Sequence, residues 1–457
     1  MDATIKKAVK PAFPNAELRK FLDWSLVWIL LANLPFMAMW FVGAPPRYTE
    51  IVAAGFIGLI VKRMPRFVQW LAFLTIMLLS VLSFVAGLFN LAMDSLLYSL
   101  QFFAEIKPSN SLEYIAATVV VAGILIASWF LLKRDTNFTK PAHILLAGTL
   151  IFGLVGVDYL MGQGMRGHYF RAAPAGANFE SAVKKSGFAL RADGKRHLVL
   201  IMVESLGVPN DNRTMSEKLF AYYDNSAIQA KYDVSRGTSL YYNSTTSGEF
   251  REMCGAWGDY YELLDAADAA TLNCLPATLS DKGYATHAMH SFEGAFFKRD
   301  QWYPNIGFET REFWPELQKR GAEWCGGVFA GACDRQVPKL LAENLKNAKE
   351  PTFLYWLTLN AHLPVPPGLN LNVEDCGRVS PGLAKEFPMI CRQFAIFDDI
   401  DAALVNEITA KDFPDADILL VGDHMPPYFD RHHRSQFDPE HVPWLYLRAK
   451  GNTKPKG

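Results

Sequence analysis

Cysteine is absent from the first 253 residues of this 457-residue chain, and all six cysteines lie between Cys254 and Cys391. No two form a C-x-x-C pair and the spacings are wide, which disfavours a zinc site and favours disulfides. Disulfides imply an oxidising compartment. Pairing of neighbours (Cys254–Cys274, Cys325–Cys333, Cys376–Cys391) is the simplest arrangement, among the fifteen or so that six cysteines allow. Net charge is lacking too: 45 basic residues meet 46 acidic ones. Nothing in that balance suits a nucleic-acid partner.

Charge is also nearly missing from long stretches of the first third. Half of the residues are hydrophobic and the mean hydropathy is +0.06, and the apolar residues are not spread evenly. Phe21 to Val42, Tyr48 to Val61, Phe67 to Phe89, Leu112 to Leu132 and Ala142 to Met161 are apolar runs. A crossing takes about 20 residues, so the second run is the shortest candidate. Five membrane helices are expected. Lys6, Lys7, Lys10, Arg19 and Lys20 precede the first run; Lys62, Arg63 and Arg66 follow the second; Lys133, Arg134 and Lys140 follow the fourth. The opposite loops carry only Arg47 and Lys107. Positive residues stay inside, so the N-terminus is expected in the cytoplasm and everything after about residue 162 outside. Asp158 is expected at the interface, and Leu91 to Ile106 along the outer leaflet or packed as a loop helix. No small-residue cleavage site follows the first run, so it is not expected to be a cleaved signal.

The remainder reads as a linker over 163–195 and an α/β domain over 196–457. His197 to Val203 is a continuous apolar, β-branched run, the mark of a strand buried on both faces of a parallel sheet. It ends at Glu204. Tyr284 to Met289 leads to His290, Thr352 to Leu359 leads to His362, and Ala416 to Val421 leads to Asp423-His424. Open α/β sheets bind ligands at the carboxyl ends of their strands. Four strands are therefore expected to deliver Glu204, His290, His362, Asp423 and His424 to one edge.

Asn243 to Glu249 reads Asn-Ser-Thr-Thr-Ser-Gly-Glu, a run of hydroxyls after an extended stretch and before a helix expected from Glu249. Unpaired N–H groups at a helix start favour an anion. A helix cap is the plain alternative. Glu204, Asp423, His424 and one hydroxyl of this turn offer oxygen and nitrogen ligands to one divalent ion, zinc, manganese or magnesium.

Val203-Glu204-Ser205, the Thr-Ser-Gly-Glu-Phe turn, Leu275 to Leu279 with Lys282-Gly283-Tyr284, Phe296 to Asp300 and Gly422-Asp423-His424 occur in that order. This ordered set resembles the lipoteichoic acid synthase and phosphoglycerol transferase branch of the alkaline phosphatase/sulfatase superfamily, and is similar to the phosphoethanolamine transferases. The resemblance covers nearly the whole chain. It implies Thr246 as a covalent nucleophile, with Thr245 and Ser247 as rivals. It implies Glu204, Thr246, Asp423 and His424 as metal ligands, and Arg299, His362, His290 and Phe297 as residues gripping phosphate or headgroup. The stretch after His424 departs from the family pattern, leaving the acceptor open; His432 and His433 stand there as an acid/base pair or as surface residues.

The implied function is transfer of a phospho-headgroup from an outer-leaflet phospholipid to an envelope glycan or lipid, in a bacterial inner membrane. A phosphodiesterase or sulfatase-like hydrolase of the same fold, and a non-catalytic envelope assembly protein, are the alternatives. A formylglycine sulfatase would need Arg where Cys274-Leu-Pro-Ala has Thr278.

Overall fold

The computed structural model describes residues 16–42, 47–88, 93, 112–162, 173–174, 176–428 and 431–451. Apart from Met93, the Leu91 to Ile106 stretch lies outside the described residues, as does 163–172. The chain forms two compact units, residues 1–93 with 112–168 and residues 94–111 with 169–457.

In the first unit four helices are long and apolar enough to cross a membrane: α1 (Ala16–Trp40), α3 (Arg66–Gly87), α4 (Tyr114–Leu131) and α5 (Pro141–Met161). The expectation of five is corrected here. Helix α2 (Tyr48–Val61) has only 14 residues. At 1.5 Å per residue it reaches about 21 Å, short of a hydrocarbon core of about 30 Å. It still packs inside the unit: a Cβ at Gly58 would stand 2.4 Å from the Trp28 ring. Trp24, Trp28, Phe73, Phe138 and Ile151 are fully buried, in one apolar cluster with Ala54 of this helix. Asp158, expected at an interface, is buried and accepts hydrogen bonds from Trp40 Nε1 (2.9 Å) and the Arg47 backbone N–H (2.7 Å).

The second unit is built on a seven-stranded sheet. Its strands are β1 (His197–Val203), β2 (Tyr232–Leu240), β3 (Ala285–His290), β4 (Thr310–Glu312), β7 (Thr352–Leu357), β8 (Ala416–Gly422) and β9 (His441–Ala449), in the order β2-β9-β8-β1-β7-β3-β4. Strands β5 (Trp324–Cys325) and β6 (Gly331–Ala332) form a separate small hairpin. The run β8-β1-β7-β3-β4 is parallel, and β9 joins β8 and β2 antiparallel. The central strands are apolar because helices cover both faces; β7 and β8 are buried at every position. The expected α/β unit with a mostly parallel central sheet is therefore present. Short helix α6 (Ala182–Ser186) precedes β1. Helix α7 (Thr245–Cys254) follows β2, and α8 (Pro388–Thr409) precedes β8.

The disulfides join Cys254 to Cys274, Cys325 to Cys333 and Cys376 to Cys391, the neighbour pairing. No described cysteine is free.

Candidate metal and transfer site

Parallel pairing fixes where the chemistry gathers. In register, Val203 at the end of β1 lies beside Gly422 at the end of β8, and Met202 beside Leu357 of β7. His290, the last residue of β3, lies opposite Leu357. Glu204, His290, His362, Asp423 and His424 therefore leave four adjacent strands at the same edge.

Glu204, Asp423 and His424 are buried, and one ligand atom from each lies within 4.8 Å of the others. His424 Nδ1 hydrogen-bonds the Met425 carbonyl at 2.8 Å. That bond leaves Nε2 facing inward, 3.3 Å from Asp423 Oδ2 and 3.6 Å from Glu204 Oε1. Asp423 Oδ1 accepts from the backbone N–H groups of Ser205 (2.7 Å) and His424 (2.6 Å). Asp423 Oδ2 is buried without a hydrogen-bond partner among the described residues. Burial, and then the neighbouring Glu204 carboxylate, push the Asp423 carboxyl up to about 7. Burial opposes charge on His424, but Asp423 and Glu204 outweigh it and raise that pKa. Two carboxylates crowded against an imidazole, one oxygen left orphaned, are what a bound cation would relieve. The donor set suits a divalent ion.

The hydroxyl turn resolves differently from expectation. Helix α7 begins at Thr245, not near Glu249, because Ser244 is extended (φ −108°, ψ −169°) and its carbonyl accepts the Gly248 N–H at 3.0 Å. The three hydroxyls thus occupy the first helical turn, and rotation separates them. Thr245 Oγ1 lies 3.2 Å from Glu204 Oε2 and 3.3 Å from His424 Nε2. Thr246 Oγ1 donates to Asp259 Oδ1 at 2.7 Å, and Ser247 Oγ to Asp259 Oδ2 at 3.1 Å. The structure brings Thr245, not Thr246, to the cation ligands. Thr246 was expected there; one position along a helix is a turn of about 100°, which carries its hydroxyl toward Asp259. Gly248 lets the helix seat on the metal strand, since a Cβ there would stand 3.2 Å from Asp423 Cα.

Arg299, expected to grip phosphate or headgroup, is engaged by Glu249. It is buried, and its Nε and Nη2 both donate to Glu249 Oε2, at 3.0 and 2.8 Å. Its Nη1 donates to the Phe296 carbonyl. The hydroxyls of Tyr303 and Tyr355 donate to Glu249 Oε1. Burial works against charge on Arg299, but Glu249 more than offsets it and raises the pKa. Arg299 therefore pins α7 from beneath.

His290 is buried, with Nδ1 3.2 Å from the Leu357 carbonyl and Nε2 without a partner among the described residues. Burial, then the charge of Arg299, hold its pKa well below the ordinary imidazole value. His362 Nδ1 faces the Leu363 carbonyl at 2.9 Å, and its ring meets Phe329 edge-on at 4.5 Å. Burial, with His424 second, pushes its pKa down to about 4. Phe297 is half-buried, packed on Phe296 and Tyr260, with a left-handed backbone (φ 54°). His432 is exposed, while His433 stacks on Tyr428 at 5.3 Å.

Asp259 and Arg251 escaped sequence reasoning. Asp259 lies beyond α7, past a Gly-Ala-Trp-Gly stretch, with no local signal. Arg251 stands six residues after Thr245 on the same helix, a spacing that could have drawn notice.

The sulfatase family model matches residues 196–451, and the chain belongs to that family. A protein of Rhizobium meliloti (strain 1021) described as "Putative cyclic beta-1,2-glucan modification protein" is 28% identical over 153 residues, 32% of this chain. The match spans only 22% of that relative's length. Among solved structures the chain is similar to the lipoteichoic acid synthase LtaP from Listeria monocytogenes, at 16% identity, 61% of this chain, 70% of that one and a TM-score of 0.44. It is also similar to the Streptococcus pyogenes phosphoglycerol transferase GacH, at 17%, 57%, 73% and 0.36.

Proposed function

We propose that this protein is a membrane-bound, metal-dependent transferase. It moves a phospho-headgroup, phosphoglycerol in preference to phosphoethanolamine, from a phospholipid to an envelope glycan or lipid. The placement of Thr245 Oγ1 between Glu204 and His424 at the start of α7 carries this reading. Thr245, rather than Thr246, is the proposed nucleophile.

Glu204, Asp423 and His424 would hold the ion, which would lower the hydroxyl pKa and offset charge on phosphoryl oxygens. Thr245 Oγ attacks phosphorus, the P–O bond to diacylglycerol breaks, and the diacylglycerol oxygen takes up a proton. The acceptor hydroxyl then attacks phosphorus, the P–Oγ bond breaks, and Thr245 regains its proton. The first-turn N–H groups of α7 favour the anionic group. His290 and His362, neutral at pH 7 by their lowered pKa values, are proposed to face the phosphate or headgroup as hydrogen-bonding groups. Phe297 is proposed to pack on the headgroup.

We propose that the second unit lies on the outer face of the bacterial inner membrane. Three disulfides support an oxidising side. A formylglycine at Cys274 is excluded by its bond to Cys254.

Incubating the full chain with headgroup-labelled phospholipid, with and without a glycan acceptor, tests the reading. Labelled glycan supports transfer. Free phospho-headgroup alone, unaffected by acceptor, would make the enzyme a hydrolase.

A further inference from the structure

Arg251 is fully buried (0% exposed) on α7. Its Nη2 donates to the Gly422 carbonyl at 2.9 Å and its Nη1 to the Asp423 carbonyl at 3.3 Å. Its Nε donates to Glu252 Oε1 at 2.6 Å. Glu252, equally buried, accepts the backbone N–H groups of Ala182 (3.1 Å) and Val183 (2.9 Å) at the start of α6. One guanidinium therefore ties three things: the helix that carries Thr245, the strand end that carries Asp423 and His424, and the first helix before β1.

Building on the transferase reading, we infer that Arg251 is a positioning residue that sets the cation site. Asp423 is bracketed on two sides. From β1, Ser205 N–H holds its Oδ1. From α7, Arg251 holds its carbonyl and Gly248 lies against its Cα. Oδ2 is left pointing at the ligand cluster. A planar fork can hold two successive carbonyls and a carboxylate at once; a lysine ammonium cannot reproduce that geometry. Arg251 thereby fixes both the aim of Asp423 and the distance of Thr245 from the cation ligands.

The test is metal affinity of the full chain in detergent, measured by chelator competition with zinc and manganese. Arg251→Lys keeps the charge beside Glu252 and loses the fork. Its affinity should fall about 10- to 100-fold, the range for groups that orient metal ligands. A purely structural role would lower the unfolding temperature of the metal-stripped chain and leave the folded chain's affinity unchanged; that result overturns the inference. Should Arg251→Lys not fold, Glu252→Gln carries the same test, and unchanged affinity again overturns it. Wild-type chain that binds metal yet never takes a phospho-group from phospholipid would sink the transferase reading and leave this inference standing. Wild-type chain that holds no metal would sink both.

Discussion

Removing Glu249 should unseat helix α7 rather than empty a binding pocket. Its carboxylate accepts two donors from Arg299 and one each from Tyr303 and Tyr355, all buried. Breaking one side of a buried pair leaves an uncompensated charge and costs about 3–5 kcal/mol. For a domain of this size each kcal/mol shifts the midpoint by about 2–4 °C, so Glu249→Ala should melt roughly 6–20 °C below wild type. Arg299→Ala should fall in the same range, since Glu249 then stands buried against two tyrosines. The double variant Glu249→Leu with Arg299→Met should recover much of the loss, because apolar replacement of a buried pair is often neutral. Thermal unfolding of these proteins in one detergent, with the single variants Glu249→Leu and Arg299→Met added to close a double-mutant cycle, measures this. If Arg299→Ala melts within about 1 kcal/mol of wild type and only raises the KM for lipid, Arg299 grips substrate and the assignment as a pin is wrong.

Thr245→Ala should abolish transfer while Thr246→Ala retains most of it, read as labelled product from each purified variant. Chelation should remove activity, and zinc, manganese or magnesium should restore it, the best of the three being read from reconstitution assays. Burial pushes Asp401 up to about 7, with the Tyr223 hydroxyl opposing in part. The folded chain thus holds a proton that the unfolded chain releases near pH 4. The stability from this group is full below about pH 4 and is lost as pH rises through about 7. Asp401→Asn should therefore flatten the decline in melting temperature of metal-stripped protein between about pH 4 and 7; an unchanged slope would refute the assignment. The six cysteines should resist alkylation in intact cells until a reductant is added, and ready alkylation without reductant would argue against the outer location.

Much of this was legible because strand burial writes itself into sequence. His197 to Val203 and Ala416 to Val421 are continuous apolar runs, and the polar residue that ends each run had to fall at the sheet edge. Neighbouring cysteines also paired as their spacing suggested. Strand β9 was less visible: Pro443 and Trp444 interrupt its pattern, and an antiparallel partner in β2 carries polar residues on its open face. Which hydroxyl of the turn faces Glu204 and His424 was not legible, because a helix start is set by φ and ψ at Ser244, which hydroxyl-rich sequence does not reveal. The buried pairing of Arg299 with Glu249 was not legible because the two stand fifty residues apart. Helix α2, the shortest candidate, was counted as a span because hydropathy registers composition more sharply than length.

The most direct measurement is site-localised mass spectrometry of the peptide containing Thr245 and Thr246, after the full chain has reacted with phospholipid and been quenched before acceptor is added. A phosphoglycerol or phosphoethanolamine mass on Thr245, lost on metal removal, is the predicted result. The same mass on Thr246, or a peptide that stays unmodified while product accumulates, would contradict it.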